Sequence, residues 1–276
     1  MASSLTSLLV HLDGTVRAEV RLELARQFAA QRAARVSALF AVVPRFLPLL
    51  PLAGGVPSVP TRGEVDPDHR MRAMGVFERV QAATVQPCEW LELSGEPVVE
   101  TFSLRALTAD LLFLGQRDPG DPEGFDVPAG FVESVLIDSG RPALILPYAG
   151  SASVTPSTVL LAWKSTRECA RALTAALPFL QGATRVHLVD ADGDETQPAR
   201  GDVRKYLRLH GIAKVEEHAK LSERRAGEDL LSCAADCGAE MMVMGCYGHS
   251  RARELVLGGA TRTVLESMTL PVLMAH

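Results

Sequence analysis

No apolar run in the 276 residues approaches the roughly 20 that a membrane-crossing helix needs. The opening "MASSLTSLLVHLDG" lacks both the basic n-region and the length of a secretory signal. A cytoplasmic protein without a membrane partner is therefore expected. Surplus positive charge is also missing. With 28 Lys and Arg against 33 Asp and Glu, the net charge is -5, and no basic stripe offers a footprint for nucleic acid. The seven histidines (11, 69, 187, 210, 218, 249, 276) show no HExxH and no ligand spacing, so no metal site is expected. The five cysteines are odd in number, and the close pair Cys233 and Cys237 is spaced like one face of a helix rather than like CxxC. Buried, reduced thiols fit that pattern.

The usual anchors of nucleotide enzymes are absent too. Neither G-x-x-x-x-G-K-[ST] nor a strand-following G-x-G-x-x-G occurs. "GHSRA" (248 to 252) superficially matches a hydrolase nucleophile elbow, but "GCY" separates it from the preceding strand and its last glycine is Ala252. No Asp follows it, and the only later histidine is His276, so a catalytic triad is not expected.

What the chain does contain is itself, twice. With 47% hydrophobic and 22% charged residues, its length suits two globular domains, here 1–150 and 151–276. "LLVHLDGTVRAEVRLELA" (8 to 25) lies over "LLAWKSTRECARALTAA" (160 to 176), so that Asp13, Gly14 and Thr15 correspond to Lys164, Ser165 and Thr166. "ADLLFLGQ" lies over "AEMMVMGC", and "VLIDSGRPALIL" over "VLESMTLPVLMA". The N-terminal copy is longer by some twenty residues, which the Pro- and Gly-rich stretch 44 to 68 supplies as a loop. In the second copy, strands are expected near 158 to 163, 185 to 190, 213 to 219, 240 to 244 and 271 to 275. Helices are expected near 167 to 180, 201 to 210, 226 to 237 and 259 to 268. Short apolar strands alternating with helices predict α/β architecture: two tandem doubly wound parallel-sheet sandwiches of Rossmann-like type. "PALILPY" and "LPVLMAH" are candidate edge strands that pair the copies, either within one chain or between the chains of a homodimer.

The chemistry concentrates in "MMVMGCYGHSRARELVLGGATRTVL" (241 to 265). Gly245 closes a strand at the edge where open parallel sheets bind ligands. Gly258 and Gly259 precede a helix whose N-terminal amides and dipole suit a phosphate. His249, Ser250, Arg251 and Arg253 stand between these glycines. No carboxylate pair stands there to hold magnesium or activate water, so rapid phosphoryl transfer is not expected.

The spacing Gly245, two residues, Gly248, nine residues, Gly258 resembles the G-x2-G-x9-G-(S/T) signature of the universal stress protein family, and "LPVLMAH" is similar to that family's closing strand. The resemblance implies an adenine nucleotide alpha hydrolase-like fold and an ATP site in the C-terminal domain. By position it places phosphate contacts at Gly245, Gly248, Gly258, Gly259 and Ala260, with His249, Arg251 and Thr261 alongside, and the adenine and ribose near Ala162, Lys164 and Val189. Two residues depart from the family's pattern: Gly259 replaces a Ser or Thr, and Lys164 replaces an acid. The N-terminal copy keeps Asp13 and Gly14 but has Asp118, Pro119 and Pro122 near its phosphate turn, and is expected to be structural, with Asp13 a turn residue. The expected function is that of a nucleotide-responsive stress or regulatory protein acting with a protein partner, the alternative being a tandem scaffold that no longer binds nucleotide.

Overall fold

The computed structural model describes residues 5–44, 65–83, 87–93, 97–121, 126–150, 152–190, 199–218, 225–247 and 259–276. The first half runs β1 (Ser7–Leu12), α1 (Arg17–Ala30), β2 (Arg35–Phe40), α2 (Pro67–Ala82), β3 (Cys88–Glu92), α3 (Val98–Ala106), β4 (Leu111–Gly115), α4 (Phe131–Ser139) and β5 (Ala143–Leu146). The second runs β6 (Thr158–Trp163), α5 (Arg167–Leu180), β7 (Arg185–Asp190), α6 (Ala199–Leu209), β8 (Val215–His218), α7 (Ala226–Asp236), β9 (Met241–Gly245), α8 (Ala260–Ser267) and β10 (Val272–Ala275). Every strand and helix expected in the second copy is present, with ends shifted by a residue or two. The looplike stretch of the first copy falls mostly outside the described residues.

The repeat is written into the strands. β1 and β6 each have six residues, and α1 and α5 each have fourteen. At the start of β1, the Asp110 carboxylate accepts bonds from the Thr6 and Ser7 amides at 2.8 and 3.0 Å. The matching Glu240 accepts from the Ser157 amide at 2.8 Å before β6. The acid of "AD" and "AE" thus does the same work in both copies, satisfying amides at the amino end of the first strand.

Within each half all strands are parallel, in the order β3-β2-β1-β4-β5 and β8-β7-β6-β9-β10. Strand order therefore reverses between β1 and β4, and between β6 and β9, which are the positions where such sheets take ligands at their carboxyl ends. The two halves join antiparallel through β5 and β10, with Val272 opposite Ile145, Leu273 opposite Leu144 and Met274 opposite Ala143. One ten-stranded sheet results, and the two apolar strands suspected as edges cover each other.

Helices cover both faces. One face packs α1, α2, α5 and α6 around Val10, Phe113, Leu161 and Val243; the other packs α3, α4, α7 and α8 around Leu112, Ile145, Leu160 and Met242. β4 and β9 are buried on both sides, which explains their unbroken apolar runs. Helices also bind the halves together. Phe28 of α1 stacks on Phe179 of α5 with centroids 4.8 Å apart, and Arg32 lies 3.9 Å over the Phe28 ring while donating to the Pro178 carbonyl. On the other face, Gln116 donates to the Leu265 carbonyl at 2.9 Å and accepts from the Tyr148 amide. Among the described residues, no helix is long and apolar enough to cross a membrane.

Candidate functional site

The β6–β9 switch point gathers the expected nucleotide residues that the structure describes. Lys164 follows the last residue of β6, Gly245 ends β9, and Gly259 precedes α8. Ala162 pairs with Val189 across β6 and β7, and both are buried. Gly248, His249, Arg251 and Gly258 lie outside the described residues.

Thr166 caps α5 by accepting from the Cys169 amide at 3.3 Å, so Lys164 and Ser165 form the tight turn between β6 and the helix. Lys164 is half-buried and has a partner of its own. Gly245 is bare for a reason the sequence did not show. A Cβ there would stand 2.6 Å from the Cys169 amide nitrogen and 2.9 Å from its sulfur. The missing side chain lets the first turn of α5 press against the end of β9. Burial pushes the Cys169 thiol up from its usual pKa, so it stays protonated within this packing.

The start of α8 is built differently. Its N-cap, Gly259, is extended and offers no side-chain cap, and its first turn holds no acidic residue. Orphan amides and the positive dipole end are left uncompensated by side chains of that turn. Thr261, expected beside the phosphates, is only 3% exposed, and its hydroxyl accepts from the Tyr247 amide at 3.4 Å. It fixes the turn after β9, where Tyr247 is held at φ 54, the left-handed region. Two of the five cysteines, Cys169 and Cys246, are buried, whereas Cys88, Cys233 and Cys237 are half-buried, a correction to the expectation for all five.

Residues 157–276 match the universal stress protein family model. That match lies in the C-terminal half of the chain. A universal stress protein of Synechocystis is 27% identical over 173 residues, which are 59% of this chain and 57% of that protein, so the match spans little more than half of either. The crystal structure of a universal stress protein from Archaeoglobus fulgidus has a TM-score of 0.68 at 18% identity, covering 98% of this chain and 96% of its own. A functionally unknown protein from Pseudomonas aeruginosa gives 0.60 at 15% identity, covering 98% and 92%. These two likenesses extend the tandem, Rossmann-like fold over both halves.

The N-terminal switch point is filled by its own side chains. Arg21, 2% exposed, reaches from α1 to the end of β4, and a Cβ on Gly115 would fall 2.0 Å from its guanidinium. That guanidinium donates to the His11 carbonyl at 2.6 Å and to the Asp13 carboxylate at 2.8 Å. Asp13 also accepts from the amide and hydroxyl of Thr15, at 3.0 and 2.5 Å, which makes it the turn residue expected and a buried ion-pair partner besides. Burial alone would raise its pKa, but Arg21, His11 and Thr15 together hold it below the usual carboxylate value. His69 lies against Gly14, where a Cβ would be 2.9 Å from its ring, and pairs with the buried Asp126. Arg21, His69 and Asp126 were missed in the sequence. Only Arg21 left a signal, a charge on the inward stripe of α1 beside Leu22 and Ala25.

Proposed function

We propose that the C-terminal half binds ATP at the β6–β9 switch point, and that the chain is a nucleotide-responsive regulatory protein rather than a fast enzyme. The observation that carries this reading is the meeting, at one switch point, of the turn after β6, the end of β9 and an α8 N-terminus without a side-chain cap or an acidic first-turn residue. The filled N-terminal switch point supports a stoichiometry of one nucleotide per chain. Adenine would lie near Ala162 and Val189, and the phosphates near Gly259 and Ala260. Lys164 donates but cannot accept, so it contributes charge toward the phosphates rather than a bond from the ribose hydroxyls.

The expected affinity order is ATP above ADP above AMP, weakening as salt screens the contact. Isothermal calorimetry on the full chain tests it. Gly258→Asp should abolish binding, and Lys164→Ala should weaken it. Unchanged affinity in a folded Gly258→Asp variant removes this site, and no binding by the parent chain leaves the tandem scaffold as the function. With no base or metal-holding carboxylate pair among the glycines, turnover should fall far below the roughly 1 to 1000 per second of typical enzymes. Phosphate release in that range, lost on Ser250→Ala or His249→Ala, would overturn the regulatory reading.

A further inference from the structure

β7 and β8 form the open edge of the sheet in the C-terminal half, and their register places three metal-ligating side chains together. His187 stands directly opposite Glu216, and His218 is two residues beyond Glu216 on the same strand. Alternation along a strand puts residues two apart on one face, so His187, Glu216 and His218 share a face. Their atoms converge. His187 Nδ1 is 2.7 Å from His218 Nε2 and 3.7 Å from Glu216 Oε2. All three line one cavity of about 510 Å³, whose far wall is the face of α7 carrying Asp229, Cys233 and Asp236. None of them belongs to the glycine turns.

We propose that this edge is a site for a first-row divalent metal ion such as zinc, bound by His187, His218 and Glu216. Three protein donors around such an ion sit about 2.0 to 2.2 Å from it, which sets them roughly 3.3 Å apart. The separations of 2.7 and 3.7 Å lie on either side of that spacing. The side chains now stand as a hydrogen-bonded pair with a carboxylate beside it, and as they stand no group of three His, Cys, Asp or Glu among the described residues could hold a metal ion. Binding would require the two ring nitrogens to part by about 0.6 Å and Glu216 to close on His187 by about 0.4 Å. Glu216 is free to move, its side chain being 60% exposed.

The surroundings favour a cation. Among the described lining residues, Glu216 and Asp236 face the cavity together with Arg185. His187 Nε2 is buried without a partner, so the ligand lacks the outer hydrogen bond that strengthens most metal-bound imidazoles. A moderate site is expected.

Titrating the tag-free full chain with Co²⁺, followed by its visible absorption and by Zn²⁺ competition, tests the assignment. One saturable equivalent is expected, with weakening of ~10-fold or more in His218→Ala and in Glu216→Gln. Both positions lie on the exposed edge strand, and far-ultraviolet circular dichroism checks that the variants fold. The double variant Cys233→Ser, Cys237→Ser should bind as the parent does. The proposal is overturned by absence of saturable binding, by unchanged affinity in both edge-strand variants, or by a loss confined to the cysteine variant.

Discussion

Replacing Asp13 with alanine is expected to destabilise the chain by about 3 to 5 kcal/mol, the usual consequence of removing one partner of a buried ion pair. Arg21 would keep its charge inside the protein, 2% exposed, with only the His11 carbonyl left from its present polar contacts. The turn after β1 would also lose both bonds from Thr15. Urea unfolding at neutral pH, compared with the parent, measures the difference. The double replacement Asp13→Leu, Arg21→Met removes both charges and should recover much of the loss, since apolar residues of similar size often substitute for a buried pair. A cost below about 1 kcal/mol for Asp13→Ala would mean that water reaches the pair, and that the N-terminal switch point is not filled as described.

That pair also shows where the sequence stopped being readable. The helices and strands follow from local apolar spacing, and the seam from two uncovered apolar strands, so α5 and the β5–β10 pairing are where they were expected. Asp13 was legible as a turn residue because its partner Thr15 is two residues away. Its ion pair was less so. The contact of His69 with Gly14 joins residues 55 positions apart, through a helix whose angle no local pattern specifies. Gly245 was read as backbone cleared for a phosphate, yet its missing Cβ is already accounted for by α5 packing. A glycine demanded by helix approach and one demanded by a ligand look identical in sequence. The same limit hid the edge-strand cluster: His187 and Glu216 meet only through strand register, 29 residues apart in the chain.

Stability should fall by about 3 kcal/mol between pH 6.5 and pH 4 because of His11 alone. The ring is 1% exposed, lies 4.5 Å from Phe131 and 5.5 Å from Phe102, and bonds through Nε2 to the Ala41 carbonyl at 2.8 Å. Burial lowers its pKa from 6.5 to about 4; the neighbouring Asp13 opposes this and Arg21 adds to it. In the unfolded chain the imidazole takes its proton near pH 6.5, whereas the folded chain refuses it until about pH 4. Across that window the unfolded state binds more protons, and stability rises with pH. The contribution is fully present above pH 6.5 and lost as pH falls to about 4. Asp13, whose pKa is lowered, is ionised through this range and loses its contribution only in stronger acid. His187 is shifted downward as well and adds a slope of the same sign, so the decisive quantity is a difference. His11→Gln keeps a donor for the Ala41 carbonyl but cannot be protonated. Urea midpoints measured from pH 7.5 to 4.5 should decline less steeply in this variant than in the parent, the curves converging toward acid. Parallel curves would mean that His11 takes up its proton in the folded protein, and that the core around the β1 turn is open to water.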